Sequence, residues 1–83
     1  MKNWSCYLLS CSDGTYYCGV TKNMKKRLKK HNSGKGAKYT RNRRPVWCIA
    51  KVDGFTKSEA MKLEYKVKQQ PRWNKVKFLK EHA

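Results

Sequence analysis

Two short runs rich in aromatic and apolar residues, Ser5 to Cys11 and Thr15 to Val20, are separated by Ser12-Asp13-Gly14. Run, turn and run in that order specify a β-hairpin. Glycine takes the left-handed conformation without steric cost and aspartate caps it locally, so the turn sits on Asp13-Gly14. Its length decides which side chains share a face. A two-residue loop pairs Ser12 with Thr15 and sends Tyr7 and Tyr17 to opposite faces, whereas a three-residue loop with a glycine bulge pairs Cys11 with Thr15 and puts both on one face. The three-residue loop is the one expected. It sets Tyr7 opposite Gly19 and makes Tyr17 its diagonal neighbour, about 7–8 Å away between Cβ atoms, so both hydroxyls can converge on one small group. The other face gathers Trp4, Cys6, Leu8, Tyr16, Cys18 and Val20, an apolar surface to be buried. On their own, two strand tyrosines are accounted for by the preference of β surfaces for aromatics.

After the hairpin, Thr21 or Asn23 caps a helix from about Met24 to Asn32, stopped by Ser33-Gly34. Met24, Arg27, Leu28 and His31 fall in one sector of its wheel, with Lys25, Lys26, Lys29 and Lys30 outside it. Arg27 is thus the one cation on the docking face. It can snorkel to water, or its planar fork can hold phosphate oxygens beside the tyrosines. Gly34-Lys35-Gly36 is a flexible basic loop without the Gly-Lys-Ser/Thr of a P-loop, and Ala37 to Thr40 form one helical turn. Lys35, Lys38, Arg41, Arg43 and Arg44 with Tyr39 among them suit a nucleic-acid backbone track with a stacking platform; a surface loop with a half-buried Tyr39 is the plainer account.

Pro45 to Val52 read as a third strand, ended by Asp53-Gly54. Thr56-Lys57-Ser58-Glu59 is a capping box that opens the next helix. Ala60, Leu63, Glu64 and Val67 share its inner face, with Lys68 at the border. Glu64 is therefore a carboxylate in an apolar stripe. Burying it alone costs several kcal/mol, so it requires Arg27, Lys68 or a bound cation as partner. The helix stops at Gln69-Gln70-Pro71, and Trp73, Val76, Phe78 and Leu79 suggest a last amphipathic helix closing the core. The fold class expected is α/β: one domain over residues 1–83, a small three-stranded antiparallel sheet flanked by helices.

Charge bounds the partners. Lys and Arg number 21 against 5 Asp and Glu, a formal net charge of +16, which calls for a polyanion: nucleic acid first, an anionic membrane surface as competitor. No apolar run reaches the length of a membrane span and no signal peptide opens the chain, so a cytosolic protein without membrane partners is expected. Cys6, Cys11, Cys18 and Cys48 show no Cys-x-x-Cys spacing, and His31 and His82 are out of zinc-finger register. Reduced, buried thiols are expected, not zinc.

Read together, Tyr7, then Tyr17-Cys18-Gly19, Thr21, Arg27-Leu28 and His31 resemble the GIY-YIG nuclease motif. Ser5-Cys6-Tyr7 falls at the first triplet and Tyr17-Cys18-Gly19 at the second. The resemblance continues through Gly34-Lys35-Gly36-Ala37-Lys38-Tyr39-Thr40-Arg41 and the Pro45 strand to Glu64 and Lys68, where it is closest to the short stand-alone bacterial (YhbQ-like) branch. Ser5 replaces the first glycine and Cys6 and Cys18 replace isoleucines, while both tyrosines and the structural Gly19 are kept. The resemblance implies metal-dependent hydrolysis of phosphodiester bonds. Arg27 falls on the family's catalytic arginine and Glu64 on the single acid that holds Mg2+ (or Mn2+). Tyr7 or Tyr17 would take or relay the proton of the attacking water, with His31 as second candidate for the base. A phenol's reference pKa is about 10, so Arg27, Lys68 or His31 must lower it, or the proton must leave through water. Lys68 would contact phosphate or neutralise Glu64. Family members place an Asn after the Glu helix, and Asn74 is the only candidate. No element reads base edges, so nothing in the chain separates DNA from RNA; DNA is the expected substrate, recognised by structure or backbone. A non-catalytic nucleic-acid-binding module and a basic subunit of a larger assembly are the alternatives.

Overall fold

The computed structural model describes residues 1–82. The turn forms as its residues dictate: Asp13 Oδ1 accepts from the Thr15 N–H at 3.1 Å and hydroxyl at 2.6 Å. Gly14 adopts φ +84°, where a side chain would be strained. The Gly14 N–H closes on the Cys11 carbonyl at 3.0 Å and Cys11 N–H donates to Thr15 at 2.8 Å. This is the three-residue loop. It fixes the register of β1 (Trp4–Cys11) against β2 (Tyr16–Thr21), with Tyr7 opposite Gly19 and Leu9 opposite Tyr17.

Asn23 caps α1 (Met24–Asn32), its Oδ1 accepting from Lys26 N–H at 3.1 Å. The single turn α2 (Lys38–Arg41) follows, then β3 (Val46–Phe55). Asn32 ties the end of α1 to the start of β3, its side chain bonding both the N–H and the carbonyl of Val46 at 2.7 and 2.9 Å. β3 does not end at Asp53-Gly54 as the sequence suggests. Ser5 pairs with Asp53 and Trp4 with Phe55, so Gly54, at φ +94°, is the extra residue of a bulge. A turn-forming dipeptide is equally fit for a bulge.

The sheet order is β2-β1-β3, antiparallel throughout, with β2 at an open edge. The capping box starts α3 (Lys57–Lys68), Thr56 and Glu59 exchanging bonds at 2.9 and 3.1 Å. α4 (Arg72–Lys80) ends the described chain. One face of the sheet buries Cys6, Leu8 and Cys18 beneath Leu63, Val67 and Leu79. The opposite face buries Tyr7, Leu9 and Cys11 beneath Met24 and Leu28 of α1. Trp73, expected in the core, is 82% exposed. The side of α4's first turn that faces α3 is taken instead by Lys75, which donates to the Val67 and Lys68 carbonyls at 3.1 Å, and by Asn74, whose amide bonds Gln70 Oε1 at 2.9 Å. All four cysteines are free thiols, Cys48 half-buried and the others buried. Among the described residues no helix is long and apolar enough to cross a membrane.

Candidate active site

Tyr7 and Tyr17 lie on the α1 side of the sheet with ring centroids 6.5 Å apart. Tyr7 is fully buried. A Cβ at Gly19 would stand 2.5 Å from the Tyr7 hydroxyl oxygen and 2.7 Å from Cζ. The phenol thus lies across a bare Cα, which is the reason for glycine there. From α1, Arg27 Nε donates to the Tyr7 oxygen at 3.5 Å and His31 Nε2 bonds it at 3.0 Å.

His31 is buried and its other nitrogen, Nδ1, lies 2.8 Å from the hydroxyl of buried Thr40. Thr40 Oγ1 is also 3.0 Å from the Ala37 carbonyl. The threonine has one proton for two acceptors. Given to Ala37, it leaves Nδ1–H donating to Thr40 and Nε2 receiving the Tyr7 proton. Given to Nδ1, it leaves Nε2–H donating to Tyr7. The Ala37 N–H, which also donates to Nδ1 at 3.4 Å, favours the second arrangement, with Nδ1 accepting and Nε2–H donating to the Tyr7 oxygen. Gly36 seals the chain from behind, since a Cβ there would stand 2.7 Å from His31 Cα. Neither Thr40 nor Gly36 stood out as a site residue in the sequence; the one available signal was an uncharged, hydroxyl-bearing residue inside a run of cations.

Burial sets the titration of this chain. Desolvation pushes the Tyr7 phenol up to about 12, outweighing the hydrogen bond from Arg27. The expectation that its neighbours lower it is overturned, because a fully buried oxygen loses more from missing water than one cation returns. Desolvation, with the Arg27 charge second, holds His31 down to about 4, so it is neutral at physiological pH. Arg27 is held above its ordinary value chiefly by its bond to Tyr7. One consequence is measurable. An unfolded chain protonates His31 near 6.5 while the folded one resists until about 4, so this contribution to stability is complete above pH 6.5 and is lost as pH falls from there to 4. Urea unfolding at pH 7 and pH 4 is expected to show wild type losing roughly 3 kcal/mol more than His31→Gln.

Glu64 is half-buried, its side chain 20% exposed, and pairs with Lys68 at 3.3 Å. Of its two expected side-chain partners it pairs with Lys68, and no ion pair joins it to Arg27 among the described residues. α3 packs on the face opposite the tyrosines, so acid and phenols meet only around the open edge of β2. One observation sets Glu64 near Cys18 of that strand, and a cleft at the same edge does not count Glu64 in its lining. The Cys18 thiol, raised mainly by its bond to Cys6 and by burial, is raised further by the charge of Glu64, so the carboxylate is close to the residue preceding Gly19. A cleft of about 330 Å³ crosses the same edge, lined by Tyr17 and Tyr39 on one side and Lys68 and Lys75 on the other. Among the described residues no three His, Cys, Asp or Glu gather as a metal cage. A lone carboxylate suits a hard cation that keeps most of its shell as water and substrate oxygen, and the half-exposed Lys68 can swing away from it.

The basic loop divides. Tyr39 stacks on Tyr17 with centroids 5.8 Å apart, extending the aromatic floor of the site. Arg43 lies 4.0 Å over the Tyr39 ring, bridges Asp13 Oδ2 at 2.9 Å and bonds the Tyr39 carbonyl. Arg44 donates to the Arg41 and Asn32 carbonyls. Both, expected as phosphate contacts, have donors committed within the protein, while Lys35, Lys38 and Arg41 are exposed. Asn74, bonded to Gln70, is held at the α3–α4 junction.

The GIY-YIG catalytic domain family matches residues 3–77. A UPF0213 protein of Staphylococcus aureus is 47% identical over 75 residues, covering 90% of this chain and 92% of that protein. One from Nitratidesulfovibrio vulgaris is 45% identical over 76 residues, covering 92% and 69%. Solution structures of a protein from E. faecalis and of a UPF0213 protein from Bacillus halodurans share 44% identity with it. The first covers 99% of this chain and 91% of its own with a TM-score of 0.64, the second 93% and 82% with 0.56.

Proposed function

This chain belongs to the GIY-YIG catalytic domain family, and from that premise we propose that it is a divalent-metal-dependent endonuclease that hydrolyses phosphodiester bonds in nucleic acid. Its substrate on this reading is DNA, recognised by structure or backbone, in the cytosol and in the service of DNA repair. The observation that carries it is the bonded set of Arg27, Tyr7 and His31 over Gly19, with a half-buried carboxylate around the rim of the same strand.

Arg27, with Nε turned to Tyr7, keeps donors for the phosphoryl oxygens and stabilises the charge that gathers there. Tyr7 is no phenolate below about pH 12 and is fully buried with Arg27 and His31 on its oxygen, so it positions those two groups, and the proton of the attacking water leaves through the half-buried Tyr17 or through solvent water. Tyr17 and Tyr39 form the floor against which the sugar or base rests. Glu64 would hold Mg2+ or Mn2+, which when bound would supply charge to offset that on the leaving oxygen. Lys68, released from Glu64, turns to phosphate.

Purified protein and its Glu64→Ala variant are to be incubated with branched, nicked and single-stranded DNA plus Mg2+ or Mn2+. Cleavage by wild type alone is expected. Equal cleavage by both refutes the role of Glu64, and binding without cleavage makes the protein a binding module. Tyr7→Phe, which frees Arg27 and His31 from their shared oxygen, is expected to slow cleavage by about 10²-fold. His31 takes up its proton only near pH 4, so the wild-type pH–rate profile should lack a histidine inflection near 6.5; such an inflection would contradict a buried, neutral His31.

A further inference from the structure

A cleft of about 510 Å³ opens at Arg27 between α1 and the start of α3, lined among others by Trp4, Lys22, Lys26, Lys30 and Lys57. A second, of about 670 Å³, runs along the outward face of α3 past Met61, Lys62, Tyr65 and Lys66. They share Lys57 and Met61, so one groove leads from the phosphate-clamping arginine to the far side of the molecule. No acidic residue lines either part. Lys22 and Lys57 hold their ammonium groups 5.7 and 5.5 Å from the Trp4 ring. Met61 and Tyr65, one turn apart, are 49% and 66% exposed.

We propose that this groove seats a single-stranded nucleic-acid segment leaving the active site, with its phosphates on Lys22, Lys26, Lys57 and Lys66 and an unpaired base on Tyr65. The proposal rests on Arg27 gripping a phosphate as described above. Charge selects a polyanion, and the alternation of cations with separate flat or flexible apolar groups selects unstacked bases, since stacking on aromatics requires a free base face. A membrane surface would instead need a broad apolar face, and α3 offers outward only Met61 and Tyr65. From Lys57 to Lys66 the helix runs about 14 Å, long enough for a short run of unstacked nucleotides. The track lies apart from the Lys35–Arg41 loop, so two arms of a branched substrate can occupy separate surfaces.

The test needs no metal and no cleavage. With Trp47 and Trp73 replaced by Phe, Trp4 is the only tryptophan left of three and reports on the groove. A short oligothymidylate should quench its emission. Tyr65→Ala should weaken binding about tenfold or more, and Lys57→Ala should lower the salt slope by about one. Both groove side chains are exposed, and thermal melts confirm that the variants fold. Binding that leaves Trp4 emission unchanged, binding indifferent to Tyr65→Ala, or quenching by phosphatidylserine vesicles that the oligonucleotide fails to reverse overturns the proposal. Failure of the cleavage assay leaves this readout intact, so the two readings fall separately.

Discussion

Glu64→Gln is expected to reduce cleavage by about 10³-fold or more while the melting temperature stays level or rises. The loss follows from the several kcal/mol that a bound cation contributes to a phosphoryl transition state, each 1.4 kcal/mol being about a decade in rate. The stability follows from the surroundings. Glu64 sits on the helix face that buries Ala60, Leu63 and Val67, where a charge is costly. Its one ionic partner, Lys68, is half-exposed and can return to water, so removing the carboxylate strands no buried cation. A structural ion pair behaves in the opposite sense: its removal destabilises and leaves the rate alone. Parallel cleavage assays and thermal melts on the two proteins separate the cases.

Gly19→Ala is expected to remove most cleavage and destabilise the fold together. The new Cβ would stand 2.5 and 2.7 Å from Tyr7 Oη and Cζ, and the ring cannot swing clear because it is fully buried with Leu9, Cys11 and Val46. Overpacking of this kind costs about 1–3 kcal/mol. A displacement of about 1 Å in a reacting group can cost about 10²-fold in rate, and here the displaced atom holds both Arg27 and His31. Tyr7→Phe in the Gly19→Ala background removes the closest atom and should return part of the stability measured by urea unfolding, with no return of cleavage. Gly14→Ala, where nothing lies within 4 Å of the added carbon, strains only a turn and should cut normally.

The parts of this site that depend on local chemistry were legible in the chain. Asp13-Gly14 set the loop length, hence the register, hence the shared face of Tyr7 and Tyr17. The helical sector that joined Arg27 to His31 did the same for α1, and the capping box started α3 where Thr56 and Glu59 required. What failed to show were relations between segments. A helix wheel gives the direction Glu64 points but not which neighbour stands there, so Arg27, Lys68 and a cation are all open to it in the sequence, and only α3 packing on the face opposite α1 takes Arg27 away. Arg43 reads as a free cation because Asp13, which binds it, lies thirty positions away. Gly54 marks a bulge or a turn with equal right until its partner strand is known. The titration of Tyr7 depends on total burial, which no local pattern encodes.

On the proposed reading, a substrate phosphate lies across the edge of β2, with the phenols and the guanidinium on one side and the carboxylate on the other. Paramagnetic broadening by Mn2+, followed by NMR in the presence of a non-cleavable phosphorothioate oligonucleotide, tests this directly. A cation held at Glu64 should broaden the Cys18 and Gly19 amides and the Tyr17 and Arg27 side chains together, and Glu64→Gln should abolish all four effects. Broadening confined to the α3 side, with Tyr17 and Arg27 sharp, would contradict a single site spanning the two faces.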